Sequence, residues 1–178
     1  MPRMKALGII GFGTMGEAFA RGLARAMPGA ALTTFDPRSV REEAARALGV
    51  AVARSPGEVL EKTDLAILCV KPQDLADLAA GTRGRSSGRR IVSILAGRRL
   101  QTLTEVLGTD HVARFMPNIA AVTGDSLVGV SFGPEAAPGF RADCLAVAGA
   151  LGKPLEIPEK LMSAMTGVSG SGIAYVLA

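Results

Sequence analysis

The sequence predicts an α/β fold, a doubly wound and mainly parallel sheet with extra strands at its edge. Three observations predict it. Short apolar runs alternate with stretches of helical spacing along the whole chain, with brief connections and neither linker nor repeat. The run "LAILCV" at 65–70 is continuously apolar, as expected of a strand covered by helices on both faces. Gly11, Gly13 and Gly16 form G-x-G-x-x-G between the first apolar run and the first helical stretch.

Taken in order, "KALGIIG" is a first buried strand. The helix "EAFARGLARAM" follows, with Phe19, Leu23 and Met27 on one face. "AALTTF" is a second strand ending at Asp36-Pro37. "SVREEAARAL" is a second helix, with Ser39 expected as its N-cap and Glu42 completing a capping box. After the short strand "VAVA", "SPGEVLEKT" repeats the device: Ser55 caps, Pro56 opens the helix, and Glu58 takes the box position. Strand four at 65–70 leads to the helix "PQDLADLAAG", strand five "RIVSILAG", and a helix "LQTLTEVLG" closed by Gly108. Strand six is "HVARFM" and strand seven "SLVGVSF". A helix is most secure over 140–151, and the strand "PLEI" and the helix "EKLMSAM" end the pattern.

Composition bounds the function. The 178 residues are one ordinary domain, or one domain and the start of another. A net charge of +4 favours anionic partners such as phosphates without being a nucleic-acid signature. The densest basic run, "TRGRSSGRR" at 82–90, joins a helix to the next strand and so belongs at the sheet edge opposite any ligand. Two isolated cysteines, Cys69 and Cys144, both expected to be buried, suggest a reducing, cytoplasmic compartment. One histidine, His111, rules out the common multi-histidine metal sites, so no metal is expected. No apolar run is long enough to span a membrane. The first twenty residues imitate a secretory signal, but Gly8, Gly11, Gly13 and Gly16 interrupt the apolar run.

Ligands of a doubly wound sheet bind at the carboxyl ends of its strands. There Gly11 permits a tight turn, Gly13 lets a pyrophosphate approach the backbone, and Gly16 lets helix and strand pack closely. Free N–H groups at the start of the helix would then face the anion. Asp36, twenty residues past Gly16, suits a ribose 2′-hydroxyl and hence NAD; Arg38 and Ser39, next to it, suit a 2′-phosphate and hence NADP. The turn slightly favours NADP, because Arg38 and Ser39 could rotate Asp36 aside. Lys71 in "CVKPQ", Ala96-Gly97 in "SILAG" and Asn118 in "RFMPN" end strands four, five and six, and together line one crevice.

"GFGTMG-x-A", "VKPQ", "S-x-x-AG", "R-x-MPN" and the final "SGSG-x-AYV" occur in this order, and in them the chain resembles pyrroline-5-carboxylate reductase. That enzyme reduces a cyclic imine to proline with NADPH or NADH. The resemblance covers the whole chain and implies a Rossmann-like dinucleotide-binding domain over 1–165. Residues 166–178 would begin a helix linking to a helical domain that builds the dimer and completes the active site. The complete protein would then be a homo-oligomer with a small-molecule substrate, 1-pyrroline-5-carboxylate, and with no nucleic-acid or membrane partner. The resemblance further implies that Gly11, Phe12, Gly13, Thr14, Met15 and Gly16 hold the pyrophosphate. Asp36, Arg38 and Ser39 would meet the adenosine ribose, and Val70, Lys71, Pro72, Leu95, Ala96 and Gly97 would flank the cofactor. Asn118 would lie near the nicotinamide, and Asn118, Ser169, Ser171 and Gly172 near the substrate.

The family usually has proline after "SGSG", where this chain has Ile173. The apolar stub that follows is expected to belong to a truncated form that binds the cofactor yet turns over poorly alone. No acid or base is assigned; an imidazole acid is possible only at His111, for which a structural role is expected. Two other functions remain open: a β-hydroxyacid-type dehydrogenase, which "GFGTMG" would suit but which leaves "VKPQ" and "SGSG-x-AY" unexplained, and a non-catalytic NAD(P)-binding module.

Overall fold

The computed structural model describes residues 4–170. One eight-stranded sheet runs β3-β2-β1-β4-β5-β6-β7-β8. Its strands are β1 (Ala6–Ile10), β2 (Ala31–Phe35), β3 (Ala51–Val52), β4 (Leu65–Leu68), β5 (Ile91–Ser93), β6 (Val112–Met116), β7 (Ser126–Phe132) and β8 (Gly152–Glu156). The helices are α1 (Thr14–Ala26), α2 (Ser39–Ala47), α3 (Pro56–Lys62), α4 (Leu75–Gly81), α5 (Leu100–Leu107), α6 (Pro138–Gly149) and α7 (Met162–Met165). The first six strands are parallel, as predicted. β7 runs antiparallel to β6, and β8 parallel to β7.

Side chains alternate across the sheet and divide the core in two. Leu7 and Ile9 of β1 and Leu65 and Ile67 of β4 pack with Phe19 and Leu23 of α1 and Val147 of α6. Ile10 of β1 and Ala66 and Leu68 of β4 face the other way, into Val59, Leu78 and Leu103 of α3, α4 and α5. A sheet covered on both faces needs apolar residues at every position, which explains why β4 is fully buried along its length.

Several boundaries differ from the sequence expectation. Ser39 does not cap α2: it is the first helical residue, Arg38 holds the cap position, and no side chain caps the helix. The reason lies two residues upstream, where Asp36 accepts the Arg38 N–H at 3.1 Å and closes the turn before Ser39 is reached. Glu42, freed from a capping box, pairs with Arg46. Ser55 caps α3 as expected, its hydroxyl accepting the Glu58 N–H at 3.1 Å with Pro56 opening the helix, but Glu58 does not close the box: its carboxylate accepts the Arg54 N–H at 2.7 Å instead. Residues 72–74 form a 3₁₀ turn ahead of α4 rather than its first α-helical turn. β5 stops at Ser93, whose hydroxyl accepts the Leu95 N–H and turns the chain early. Gly108 closes α5 in the left-handed conformation, φ 65°.

The reversed strands steer the end of the chain. After β8 come a 3₁₀ turn (Glu159–Leu161), α7, which packs against β7, and a π-helical turn (Thr166–Gly170) that packs on α7. Gly129 on β7 has no side chain, and a Cβ there would lie 3.1 Å from Met165 and 3.3 Å from Ile157. Both thiols are free. Cys144 is buried as expected and Cys69 half-buried, and loss of water around the sulfur pushes both thiols up, away from a reactive thiolate. Among the described residues, no helix is long and apolar enough to cross a membrane, and no group of three His, Cys, Asp or Glu could hold a metal ion.

Candidate functional site

The glycine loop follows β1 and opens α1. Gly11 has φ +94°, and its N–H donates to the Phe35 carbonyl at 2.8 Å. A Cβ there would stand 2.8 Å from the Cys69 carbonyl carbon and oxygen, so the loop needs glycine both for its turn and for its contact with the end of β4. A Cβ on Gly16 would stand 2.1 Å from the Gly11 carbonyl oxygen, so only glycine lets α1 begin this close to its own loop. Gly13 differs: nothing lies within 4 Å of where its Cβ would be. No packing reason therefore demands glycine at that position. Glu17 is the first residue of α1 to return a hydrogen bond, to the Gly13 carbonyl at 2.9 Å. The N–H groups of Thr14, Met15 and Gly16 thus have no acceptor within the helix. These features fit a dinucleotide pyrophosphate, which needs close backbone approach and free N–H donors.

Asp36, at the end of β2, is only 2 % exposed. Its Oδ2 accepts the Phe12 N–H at 2.8 Å and Arg38 Nη2 at 2.8 Å; its Oδ1 accepts Arg38 Nε at 2.8 Å and the Arg38 N–H at 3.1 Å. Burial raises the carboxyl's affinity for a proton, but the guanidinium and the two backbone N–H groups together outweigh it and hold Asp36 below the usual carboxylate range. The same pairing raises Arg38. The rotation expected of this turn is thus reversed in sense: Arg38 clamps Asp36 instead of displacing it. Ser39 is exposed at the start of α2.

Three further loops meet the same edge. Cys69 N–H donates to the Ile10 carbonyl at 2.7 Å, which brings Val70, Lys71 and Pro72 beside the glycine loop. Lys71 is exposed. Leu95 is buried, whereas Ala96 and Gly97 are exposed in the turn after β5, with Gly97 at φ +71°. Sequence reasoning missed Arg98, whose Nη2 donates to the Pro72 carbonyl at 2.9 Å and ties the two loops together. Nothing in the sequence signals this bond, since it depends on two loops meeting in space.

Asn118, two residues beyond β6, caps the 3₁₀ turn Ile119–Val122, its Oδ1 accepting the Ala120 N–H at 3.0 Å. That turn packs against α1. The Asn118 Nδ2 donates to Ser169 Oγ at 2.8 Å, so two stretches 51 residues apart meet at the carboxyl edge. Ser171, Gly172 and Ile173 lie outside the described residues. Sequence reasoning also gave no role to Arg114 and Glu159. Arg114, on β6 and 6 % exposed, donates from Nη1 to Glu159 Oε1 at 2.7 Å; the same oxygen accepts the Leu100 N–H at 2.6 Å. A lone charge inside an apolar strand was the available signal, because such a charge must be paired.

The opposite edge holds the basic run, as expected. Arg85 pairs with Glu61, and Arg90 with Asp143. His111 is there too, edge-on to Phe140 with ring centroids 6.2 Å apart. It precedes β6, at the far end of that strand from Asn118, and cannot serve the carboxyl edge.

The family model described as NADP oxidoreductase, coenzyme F420-dependent, matches residues 6–97, just over half of the chain. A pyrroline-5-carboxylate reductase of Arabidopsis thaliana is 34 % identical over 174 residues, covering 96 % of this chain and 63 % of that protein. One from Methanosarcina acetivorans is 34 % identical over 178 residues, covering 96 % and 65 %. The chain spans less than two thirds of the length of these relatives. Among solved structures, the 1-pyrroline-5-carboxylate reductase of Streptococcus pyogenes superposes with a TM-score of 0.86 at 26 % identity, covering 98 % of this chain and 66 % of that one. The pyrroline carboxylate reductase of Plasmodium falciparum, solved with NADP bound, has the same fold, with a TM-score of 0.83 at 24 % identity over 99 % of this chain and 66 % of that one. Carrying the glycine loop, the Asp36 turn and the Lys71 and Gly97 loops within the matched segment, the chain belongs to the NADP oxidoreductase, coenzyme F420-dependent, family, and it resembles pyrroline-5-carboxylate reductases along its length.

Proposed function

We propose that this chain binds NADPH along its carboxyl edge and serves the reduction of 1-pyrroline-5-carboxylate to proline. The observation that carries the reading is the Asn118–Ser169 hydrogen bond, which joins "R-x-MPN" to the segment opening "SGSG" at the edge where the glycine loop lies. The similarity to reductases of that substrate over 96 % of the chain supports it. Residues 1–165 are the dinucleotide-binding domain, and 166–178 begin the link to a helical domain through which the protein forms a homo-oligomer.

The roles follow from position. Gly11 to Gly16 take the pyrophosphate on free N–H groups. Arg38 and Ser39 receive the ribose 2′-phosphate. Lys71, Pro72, Ala96 and Gly97 flank the nicotinamide half, and Asn118 and Ser169 hold the imine's carboxylate or the amide of the ring. When bound, the cofactor supplies the hydride to the imine carbon. The protein's part is to orient the two rings and exclude water, which needs no nucleophile. The site lies in a reducing, cytoplasmic setting.

NADPH titration of the chain tests the binding, and oxidation of NADPH in the presence of 1-pyrroline-5-carboxylate tests the reaction. Saturable binding with imine-dependent oxidation supports the proposal. Oxidation of a 3-hydroxy acid with NADP instead would make the chain a β-hydroxyacid-type dehydrogenase, and binding without either reaction, in the complete protein, a non-catalytic module. Arg38→Ala is expected to weaken NADPH by roughly 1.5–3 kcal/mol, the worth of a charge-assisted hydrogen bond, and to leave NADH nearly unchanged. Equal losses for both cofactors would count against the 2′-phosphate role.

A further inference from the structure

We propose that Asp36 is a positioning residue that sets cofactor choice: it holds Arg38 ready for a 2′-phosphate and receives no ribose hydroxyl itself. This rests on the proposed dinucleotide site.

An ionised carboxylate offers about four lone-pair sites. In Asp36 four donors fill them: Phe12 N–H and Arg38 Nη2 on Oδ2, Arg38 Nε and Arg38 N–H on Oδ1. A ribose 2′-hydroxyl could bind only by expelling one. Expelling Phe12 would loosen the glycine loop, and expelling Arg38 would strand a carboxylate that is 2 % exposed.

The same geometry prepares Arg38 for an anion. A guanidinium has five N–H donors in a rigid fork. Nε and Nη2 spend one each on Asp36, which leaves both N–H groups of Nη1 and one of Nη2. The Arg38 side chain is 55 % exposed, so this free edge faces outward. Its torsions are already set by the carboxylate, so little side-chain entropy remains to be lost on binding. The first turn of the nine-residue α2 adds donors beside it: Arg41 N–H is the first to bond back, to the Arg38 carbonyl, so the N–H groups of Ser39 and Val40 have no acceptor within the helix. Asp36 also links two halves of one ligand site, since one carboxylate touches the pyrophosphate loop at Phe12 and the ribose turn at Arg38.

The test measures dissociation constants of NADPH and NADH for the parent chain, Asp36→Asn and Arg38→Lys, with thermal unfolding of each. In Asp36→Asn an amide N–H replaces one acceptor and Arg38 loses its ionic clamp. NADPH should weaken about tenfold, the loss of roughly one charge-assisted hydrogen bond, with NADH changed much less, so that the preference ratio falls. Arg38→Lys keeps the charge but cannot form the two-pronged clamp, and should lose the preference as well. A merely structural Asp36 would weaken both cofactors alike and leave the ratio unmoved, which overturns the proposal. So would a loss confined to NADH, the mark of a ribose acceptor, or an Arg38→Lys variant that keeps the parent's ratio. If Asp36→Asn does not fold, the Arg38→Lys ratio decides. A parent that binds neither cofactor sinks the dinucleotide site itself and this assignment with it; a parent that binds NADH as tightly as NADPH sinks only the assignment of Asp36.

Discussion

Gly13→Val should bind NADPH about 100-fold more weakly than the parent while folding normally. The two effects separate because of where the missing Cβ points. Nothing lies within 4 Å of it, and the residue's φ of −79° and ψ of −165° suit any side chain. Folding therefore meets no clash, and stability should change by less than about 1 kcal/mol, with a small gain from a stiffer unfolded chain offsetting a poorer N-cap. A pyrophosphate, by contrast, must approach the backbone where valine would project. Losing one or two charge-assisted hydrogen bonds costs about 3 kcal/mol, hence the hundredfold. Gly16→Val is the contrasting control: its Cβ would stand 2.1 Å from the Gly11 carbonyl oxygen, so it should lose the fold before the ligand. A Gly13→Val protein that titrates NADPH like the parent would show that no phosphate contacts this loop.

Glu159→Ala should lower stability by about 3 kcal/mol, with Tm falling by about 6–12 °C for a chain of this size. One carboxylate oxygen takes both the Arg114 guanidinium and the Leu100 N–H, so its removal strands a cation whose side chain is only 7 % exposed. The figure is at the low end for a buried pair, since Glu159 itself is 30 % exposed and water can reach the gap. Replacing both partners, Arg114→Met with Glu159→Ala, should cost less than Glu159→Ala alone, because no charge is then left buried. Thermal unfolding of the three variants checks the order. A Glu159→Ala protein that melts within about 2 °C of the parent would mean that the ion pair is no more than a surface contact.

The alternation of elements was legible because period is a local property. A strand buried on both faces writes itself as a run such as "LAILCV", and the glycine pattern marks its own turn. Strand direction at the edge was not legible, since nothing in "SLVGVSF" distinguishes a parallel from an antiparallel neighbour. The start of α2 was misread because two residues competed for one job: Ser39 had the usual cap chemistry, but Asp36 reached the Arg38 N–H first. Arg98 and Glu159 were silent for another reason. Their partners, Pro72, Leu100 and Arg114, lie 26, 59 and 45 residues away in sequence, and only the closed sheet brings them near. Arg114 announced that it needed a partner but not which one.

The strand order also bears on how the chain folds. The connection from β6 to its antiparallel neighbour β7 is nine residues, 117–125, whereas β1 and β4 are joined through 54, 11–64. Loop-closure entropy grows by about 0.6 kcal/mol per doubling of length, so the β1–β4 seam costs about 1.6 kcal/mol more to close. Zipping is thus biased to begin at the β6–β7 end and in the locally connected β1–β2 pair, with the seam between them closing late. The contact of Gly11 with Cys69 lies on that seam. The crevice between the glycine loop and the end of β4 is therefore expected to close late in folding, and a ligand bridging the two loops would favour its closure.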